Sequence, residues 1–235
     1  MEKKKSNLVI SEKFYSMQGE GQTIGVPAIF IRLAACNILC KSESWICDSI
    51  EVWKKGTKTE FENVLSDYEI SLLRRGAHLI WTGGEPLLHM KKINEYLDYL
   101  WLNEMFRPTM EIETNGTLPI NDTLFRQLDY INCSPKLHNS GVEFEKRVNL
   151  DVISQINEHQ NSIFKFVISN KSDLDEIHQD YGGIIDHKKI VLMPAGETQE
   201  KLNETRPKVV EAALEHGYRY SDRLHIIIWN QKTGV

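Results

Sequence analysis

Apolar residues along this chain cluster in short, dense runs, and eight of them read as strands: LVISEKFY (8–15), AIFIRLAA (28–35), HLIWT (78–82), MEIET (110–114), YINC (130–133), FKFVIS (164–169), KIVLM (189–193) and LHIIIW (224–229). Runs this short and this apolar fit strands covered on both faces, as in a parallel sheet flanked by helices. Between them, apolar positions recur at helical spacing over 59–74, 89–105, 121–127, 150–159, 172–180 and 203–216, the last stopped by Gly217. Strand followed by helix, repeated about six times, predicts an α/β fold: a parallel sheet with outer helices curling toward a partial, TIM-like (β/α)6 barrel. In such folds the chemistry sits on loops leaving the carboxyl ends of the strands. No internal repeat, low-complexity tract or Pro/Gly-rich linker divides the chain, so residues 1–235 read as a single domain.

Composition adds exclusions. With 28 Lys and Arg against 33 Asp and Glu the net charge is −5, which offers no basic field for a phosphate backbone. A small molecule is therefore the expected partner, and nucleic acid is not. The opening MEKKKSNLVISEK lacks the apolar core of a secretion signal, and no stretch has the roughly 18 apolar residues of a membrane span, so a cytoplasmic location is expected. In that reducing compartment, clustered cysteines point to metal or redox chemistry rather than disulfides.

Three of the four cysteines, Cys36, Cys40 and Cys47, follow AIFIRLAA with the spacing C-x3-C-x6-C. Three thiolates on one loop can hold three irons of a four-iron cluster and leave the fourth open to a ligand. A zinc site completed by His78, His89 or Cys133, or three reduced bystanders, stays open as an alternative. Downstream, HLIWT runs into Thr82-Gly83-Gly84-Glu85-Pro86. Glycines at a strand end let a ligand approach the backbone, and the glutamate can accept hydrogen bonds from an ammonium group. Arg32 stands among apolar residues, where an unpaired charge is costly, and its guanidinium fork suits a substrate carboxylate. Glu113 and Asn115 in EIETNGT fit a turn around Asn-Gly better than a ribose contact. His225 in LHIIIW reads as a hydrogen-bonded core histidine more than a site residue.

Taken together, the cysteine loop and TGGEP resemble the radical S-adenosylmethionine (SAM) superfamily. The segments FYSMQGEGQTIGVPAIFIRLAACN, ICDS, TGGEP, ETNGT, SPK, LMPAGET and RLHIIIWNQKTGV, in that order, resemble the 7-carboxy-7-deazaguanine synthase family over residues 12–235. The resemblance implies a lyase that converts 6-carboxy-5,6,7,8-tetrahydropterin to 7-carboxy-7-deazaguanine with loss of ammonia, in queuosine-type 7-deazapurine biosynthesis. It implies a [4Fe–4S] cluster on Cys36, Cys40 and Cys47, SAM, and Mg2+ on the hydroxyl of Ser49. By the same resemblance, Met17, Gln18, Gly19, Glu20, Arg32, Thr82 and the terminal Val235 contact the pterin. Ile46, Asp48, Gly84, Glu85, Ser134, Pro135, Lys136, Met193, Pro194, Ala195 and Gly196 contact SAM. A homodimer and a flavodoxin-type or other reductant are implied as partners. No side chain is implied as acid or base, the adenosyl radical from SAM doing that work.

One departure stands out. The superfamily pattern is C-x3-C-x2-C, and here KSESWI (41–46) lengthens the interval before Cys47, reading as an insertion. A glycyl-radical activase, or a cluster-binding regulatory protein without catalysis, are the rival functions.

Overall fold

The computed structural model describes residues 6–42, 47, 49–232 and 234. Nine strands form one sheet: β1 Asn7–Met17, β2 Pro27–Leu33, β3 Thr57–Glu60, β4 His78–Gly83, β5 Met110–Thr114, β6 Tyr130–Cys133, β7 Ser162–Ile168, β8 Ile190–Pro194 and β9 Arg219–Tyr220. The helices are α1 Ile50–Trp53, α2 Asp67–Arg74, α3 Met90–Glu104, α4 Asp122–Phe125, α5 Phe144–Arg147, α6 Leu150–Glu158, α7 Lys171–Tyr181, α8 Gln199–His216 and α9 Leu224–Trp229. Strand order is β3-β1-β2-β4-β5-β6-β7-β8-β9. From β2 onward every pairing is parallel, while β1 pairs antiparallel with both β2 and β3. The expected parallel α/β sheet with outer helices is thus present, with an antiparallel edge that the sequence pattern did not reveal.

Alternation along the strands divides the structure into an outer and an inner side. Ile29, Ile31 and Leu33 of β2, Leu79 and Trp81 of β4, and Phe164, Phe166 and Ile168 of β7 pack into the main core with Ile93, Tyr96, Ile153, Ile177 and Tyr181 of the helices. Each such fully buried side chain contributes about 1.5–3 kcal/mol of hydrophobic stabilisation. The opposite faces carry Arg32, His78, Thr82, Glu111, Glu113, Asn132 and Lys165, with a small apolar cluster of Ala28, Phe30, Ile80 and Phe14 between them. Glu20, between β1 and β2, reaches Lys165 on β7, so the two ends of the strand order curl toward each other.

Two expected elements are different. Residues 59–60 belong to strand β3, not to a helix: Thr57 to Glu60 pair with Ile10 to Asn7, and β-branched threonines suit that edge. The helix begins only at Asp67, where Ser66 and Glu69 form a reciprocal capping box. LHIIIW is helix α9, not a strand. The sheet ends at β9, whose free edge offers a six-residue strand only two residues to pair with; the helix satisfies its own backbone and buries Ile226 while Ile228 stays half exposed. Among the described residues, no helix is long and apolar enough to cross a membrane.

Candidate active site

At the carboxyl ends of the parallel strands lies a cavity of about 770 Å³. Adjacent strands bring Arg32 and Thr82 into register on its wall. Arg32 Nε donates to Glu12 Oε2 at 3.2 Å, and its guanidinium lies 5.9 Å from the centroid of Phe14, which stacks on Phe30. With Nε held by Glu12, the terminal nitrogens of the guanidinium are the ones left to meet a carboxylate.

Cys36, Cys40 and Cys47 all line this same cavity. Ala35, at φ 70°, turns the chain out of β2, and its N–H donates to Trp53 O at 2.8 Å. Ile38, Cys40 and Val142 form a small apolar cluster against which Cys36 and Cys47 pack. Cys47 N donates to Cys40 O at 3.1 Å, and Cys47 Sγ lies 3.5 Å from Ser49 Oγ, which also faces the cavity. Burial pushes the Cys36 thiol up, with Glu85 and Cys47 adding to it, so iron binding must displace a firmly held proton. Among the described residues, no three His, Cys, Asp or Glu side chains converge as ligands of one metal ion. A four-iron cube instead takes each thiolate on a different iron, so three thiols around one cavity wall fit it and not zinc. The candidate fourth zinc ligands are engaged elsewhere: His78 Nδ1 meets Glu111, His89 Nε2 meets Ala34 O, and Cys133 is fully buried behind Gly116.

The Gly-Gly segment packs directly on the cysteine loop. A Cβ on Gly84 would lie 2.2 Å from Ala35 O and 2.7 Å from Cys36 Cβ. Glu85 is wholly buried and does not line the cavity; its carboxylate accepts from Leu87 N, Thr114 Oγ1 and Asn115 N at 2.8–3.0 Å. Burial pushes its pKa up to about 7 against the pull of those three donors. Ser134 and Lys136 line the cavity, with Lys136 Nζ donating to Ser134 Oγ at 2.9 Å. Arg147 and Tyr181 both donate to Lys136 O, which ties this loop to α5 and α7. Met17, Gln18, Gly19, Glu20, Gly84 and Met193 also line the cavity, whereas Pro135, Pro194, Ala195 and Gly196 do not. Ile46, Asp48 and Val235 lie outside the described residues.

Beneath Arg32 the floor is ionic, and here sequence reasoning missed most. Glu20 Oε2 accepts from Lys165 Nζ at 2.6 Å and Oε1 from Arg223 Nε at 3.0 Å; Glu113 Oε1 accepts from Gln18 Nε2 at 3.0 Å. Burial alone would raise the Glu20 carboxyl, but Lys165, Arg223 and His225 outweigh it and hold it well below the usual range. His225 lies over Gly19, where a Cβ would come 2.4 Å from its Nδ1, so this histidine belongs to the cavity and not to a core strand. Glu113 and Asn115 likewise line the cavity; Asn115 also keeps its turn role, accepting from Thr117 N, and reaches Asn37 Oδ1 at 3.0 Å. Lys165 was findable: a lysine inside the apolar run FKFVIS requires a buried counter-ion.

No family model matches the chain. Among curated proteins it is similar to the 7-carboxy-7-deazaguanine synthase of Halobacterium salinarum, 32% identical over 247 residues, covering 95% of this chain and 91% of that one. The synthase of Pyrobaculum aerophilum is 32% identical over 231 residues, covering 96% of each. That of Rhodopirellula baltica is 31% identical over 245 residues, covering 98% of this chain and 90% of the relative. Among solved structures, the crystal structure of QueE from Escherichia coli superposes with a TM-score of 0.65 at 23% identity, covering 93% of this chain and 95% of that one, a likeness of fold.

Proposed function

Since the chain belongs to the 7-carboxy-7-deazaguanine synthase family, we propose that it is the radical SAM lyase converting 6-carboxy-5,6,7,8-tetrahydropterin to 7-carboxy-7-deazaguanine with loss of ammonia. The observation that carries the reading is the shared wall: the three cysteines, Gly84, Arg32 and Glu20 border one cavity. A [4Fe–4S] cluster with SAM supplies, when bound, the one-electron chemistry that starts the ring contraction.

The chain's own residues do the rest. Cys36, Cys40 and Cys47 hold the cluster at one end of the cavity. The exposed backbone at Gly84, with Ser134, Lys136 and Met193, cradles SAM beside it. Ile46, Asp48, Pro135, Pro194, Ala195 and Gly196 flank that cradle in sequence, and Glu85 braces it from behind. Arg32, steadied by Glu12, takes the substrate carboxylate, with Thr82 alongside. Met17, Gln18, Gly19 and Glu20 bind the pterin ring, and the family resemblance adds Val235 as a further substrate contact. Ser49 offers one oxygen to Mg2+, which characteristically keeps waters and substrate oxygens as its other ligands. The enclosing strands and α9 keep water away from a reactive carbon centre.

The same reading makes the protein a single catalytic domain that works in the cytoplasm as a homodimer served by a flavodoxin-type or other reductant. Anaerobic reconstitution with iron and sulfide, then incubation with reductant, SAM, Mg2+ and the carboxytetrahydropterin, tests it by product mass. Formation of 7-carboxy-7-deazaguanine only with both SAM and cluster is the expected result. SAM cleavage without that product refutes the substrate assignment, and a colourless, cluster-free protein refutes the catalytic one.

A further inference from the structure

Lys165 projects from β7 into the barrel interior, 3% exposed, and meets two carboxylates from separate parts of the chain. Glu20 Oε2, from the β1–β2 connection, lies at 2.6 Å, and Glu113 Oε2, from β5, at 3.7 Å. The remaining oxygens are also occupied: Arg223 Nε holds Glu20 Oε1 at 3.0 Å, and Gln18 Nε2 holds Glu113 Oε1 at 3.0 Å. His225 Nε2 stands 3.9 Å from Glu20 Oε1. Two carboxylates and two permanent cations thus form a balanced chain across the cavity floor, and every member lines the cavity.

This arrangement is a poor way to gain stability, because taking four charges out of water costs about as much as their attraction returns. Nor is it required to hold the backbone of the loop. Leu224 N donates to Gly19 O, Gly21 N to Ser221 Oγ, and Thr23 Oγ1 to Glu111, and these contacts fix residues 19–23 without Lys165. What Lys165 adds is the placement of two carboxylate groups. Resting on the functional reading above, we propose that Lys165 is a positioning residue that clamps Glu20 and Glu113 together as fixed hydrogen-bond acceptors for the N–H edge of the pterin ring. Electrostatics agree with the geometry: burial alone would lower the Lys165 ammonium, yet Glu113 and Glu20 hold it above its ordinary value. Removing the ammonium leaves only Arg223 and His225 to offset the burial of Glu20, so its carboxylate takes up a proton at higher pH than in wild type.

The test compares wild type, Lys165→Met and Lys165→Arg by the Kd of 6-carboxypterin measured by fluorescence, the Kd of SAM, and kcat and KM between about pH 6 and 8.5. In Lys165→Met the pterin Kd and KM rise about tenfold or more, the loss expected when a buried charge-assisted contact is removed, while SAM affinity stays within about twofold. An acidic limb absent from wild type appears in kcat/KM, and Lys165→Arg restores most of the affinity and removes that limb. Unchanged pterin affinity and pH profile in Lys165→Met overturn the proposal, as does a parallel loss of pterin and SAM affinity that follows a fall in Tm. If Lys165→Met does not fold, Lys165→Gln replaces it: weak pterin binding with unchanged SAM affinity supports positioning, and wild-type affinity overturns it. Failure of wild type itself to bind the carboxypterin brings down the functional reading, and is seen before any variant is made.

Discussion

Gly84 is where the strand-end turn and the cysteine loop touch, and replacing it by alanine isolates that contact. Its φ lies outside the left-handed region, so alanine brings no backbone strain of its own. The new Cβ would instead sit 2.2 Å from Ala35 O, 2.6 Å from Ala35 C and 2.7 Å from Cys36 Cβ. That is about 1 Å or more inside van der Waals contact, and the atoms struck are mostly backbone, so a rotamer change cannot relieve it. The loop must move by about that distance, whereas an iron–thiolate bond tolerates roughly 0.2 Å. Overpacking against backbone places the cost near the top of the usual 1–3 kcal/mol, or about 3 kcal/mol, lowering Tm by roughly 6–12 °C for a chain of this size. Gly183 provides the contrast: its φ is 79° with nothing within 4 Å of an added Cβ, so alanine there costs only the left-handed strain of about 1 kcal/mol. Iron and sulfide content after anaerobic reconstitution, with Tm by calorimetry, separates the two. Gly84→Ala should fail to hold a full cluster and Gly183→Ala should hold one. A Gly84→Ala protein with full iron and a Tm within about 2 °C of wild type would show that this packing does not set the cluster geometry.

Arg32→Ala should raise the pterin KM by about 10–100-fold, the worth of a charged bidentate contact, while cluster content and SAM cleavage persist; loss of the cluster would contradict the role given to Arg32. Glu85 has a folded pKa of about 7 against an ordinary 4.5, so its contribution favours folding in full below pH 4.5 and is lost as pH rises through 7. Glu85→Gln removes that dependence. The stability of wild type relative to the variant, from urea titrations of cluster-free protein, should therefore fall by about 3 kcal/mol between those limits, and a pH-independent difference would refute the burial argument. Ser49→Ala should reduce the stimulation of turnover by Mg2+ without lowering iron content; equal Mg2+ dependence in both proteins would remove Ser49 from the metal site.

What could be read from the sequence was what lies on the outward side of the strands. Ile29 and Ile31 of β2, Leu79 and Trp81 of β4, and Phe164 and Phe166 of β7 make dense apolar runs because each joins the helical layer, and they locate those three parallel strands. The inward residues alternate with them, and of these only Arg32 stands out in the sequence against its apolar neighbours. Arg32 was understood because a carboxylate partner could be imagined for it, while Lys165 passed unnoticed within FKFVIS, since its partners lie 145 and 52 positions away. LHIIIW misled for a related reason: a β-branched run favours a strand only where a neighbouring strand exists, and here the sheet had ended. The cysteine loop was legible from its spacing, and the cavity residues of the QGEG and SPK segments only through the family resemblance of those short motifs. Glu12, Arg223 and the cavity role of Glu113 depend on contacts across the sheet, which spacing does not encode.

The lengthened cysteine loop is where sequence pattern and function pulled apart, and the structure supplies a physical reason why they need not conflict. Each part of the loop has its own anchor. Ala35 is held by Trp53 O and by Glu85 N, Cys40 by its packing with Ile38 and Val142, and Cys47 by its N–H to Cys40 O and by its own carbonyl to Ile50 N. The bond from Cys47 N to Cys40 O, 3.1 Å, brings the two ends of the inserted interval together. The separation of the second and third cysteines is then set by that closure and not by the number of residues between them. Extending the interval from two residues to six costs only about 1 kcal/mol of additional loop entropy, because closure cost grows with the logarithm of length. A cluster worth many times that in binding energy tolerates such a cost, so the C-x3-C-x6-C spacing is compatible with the same three-thiolate geometry as the shorter pattern.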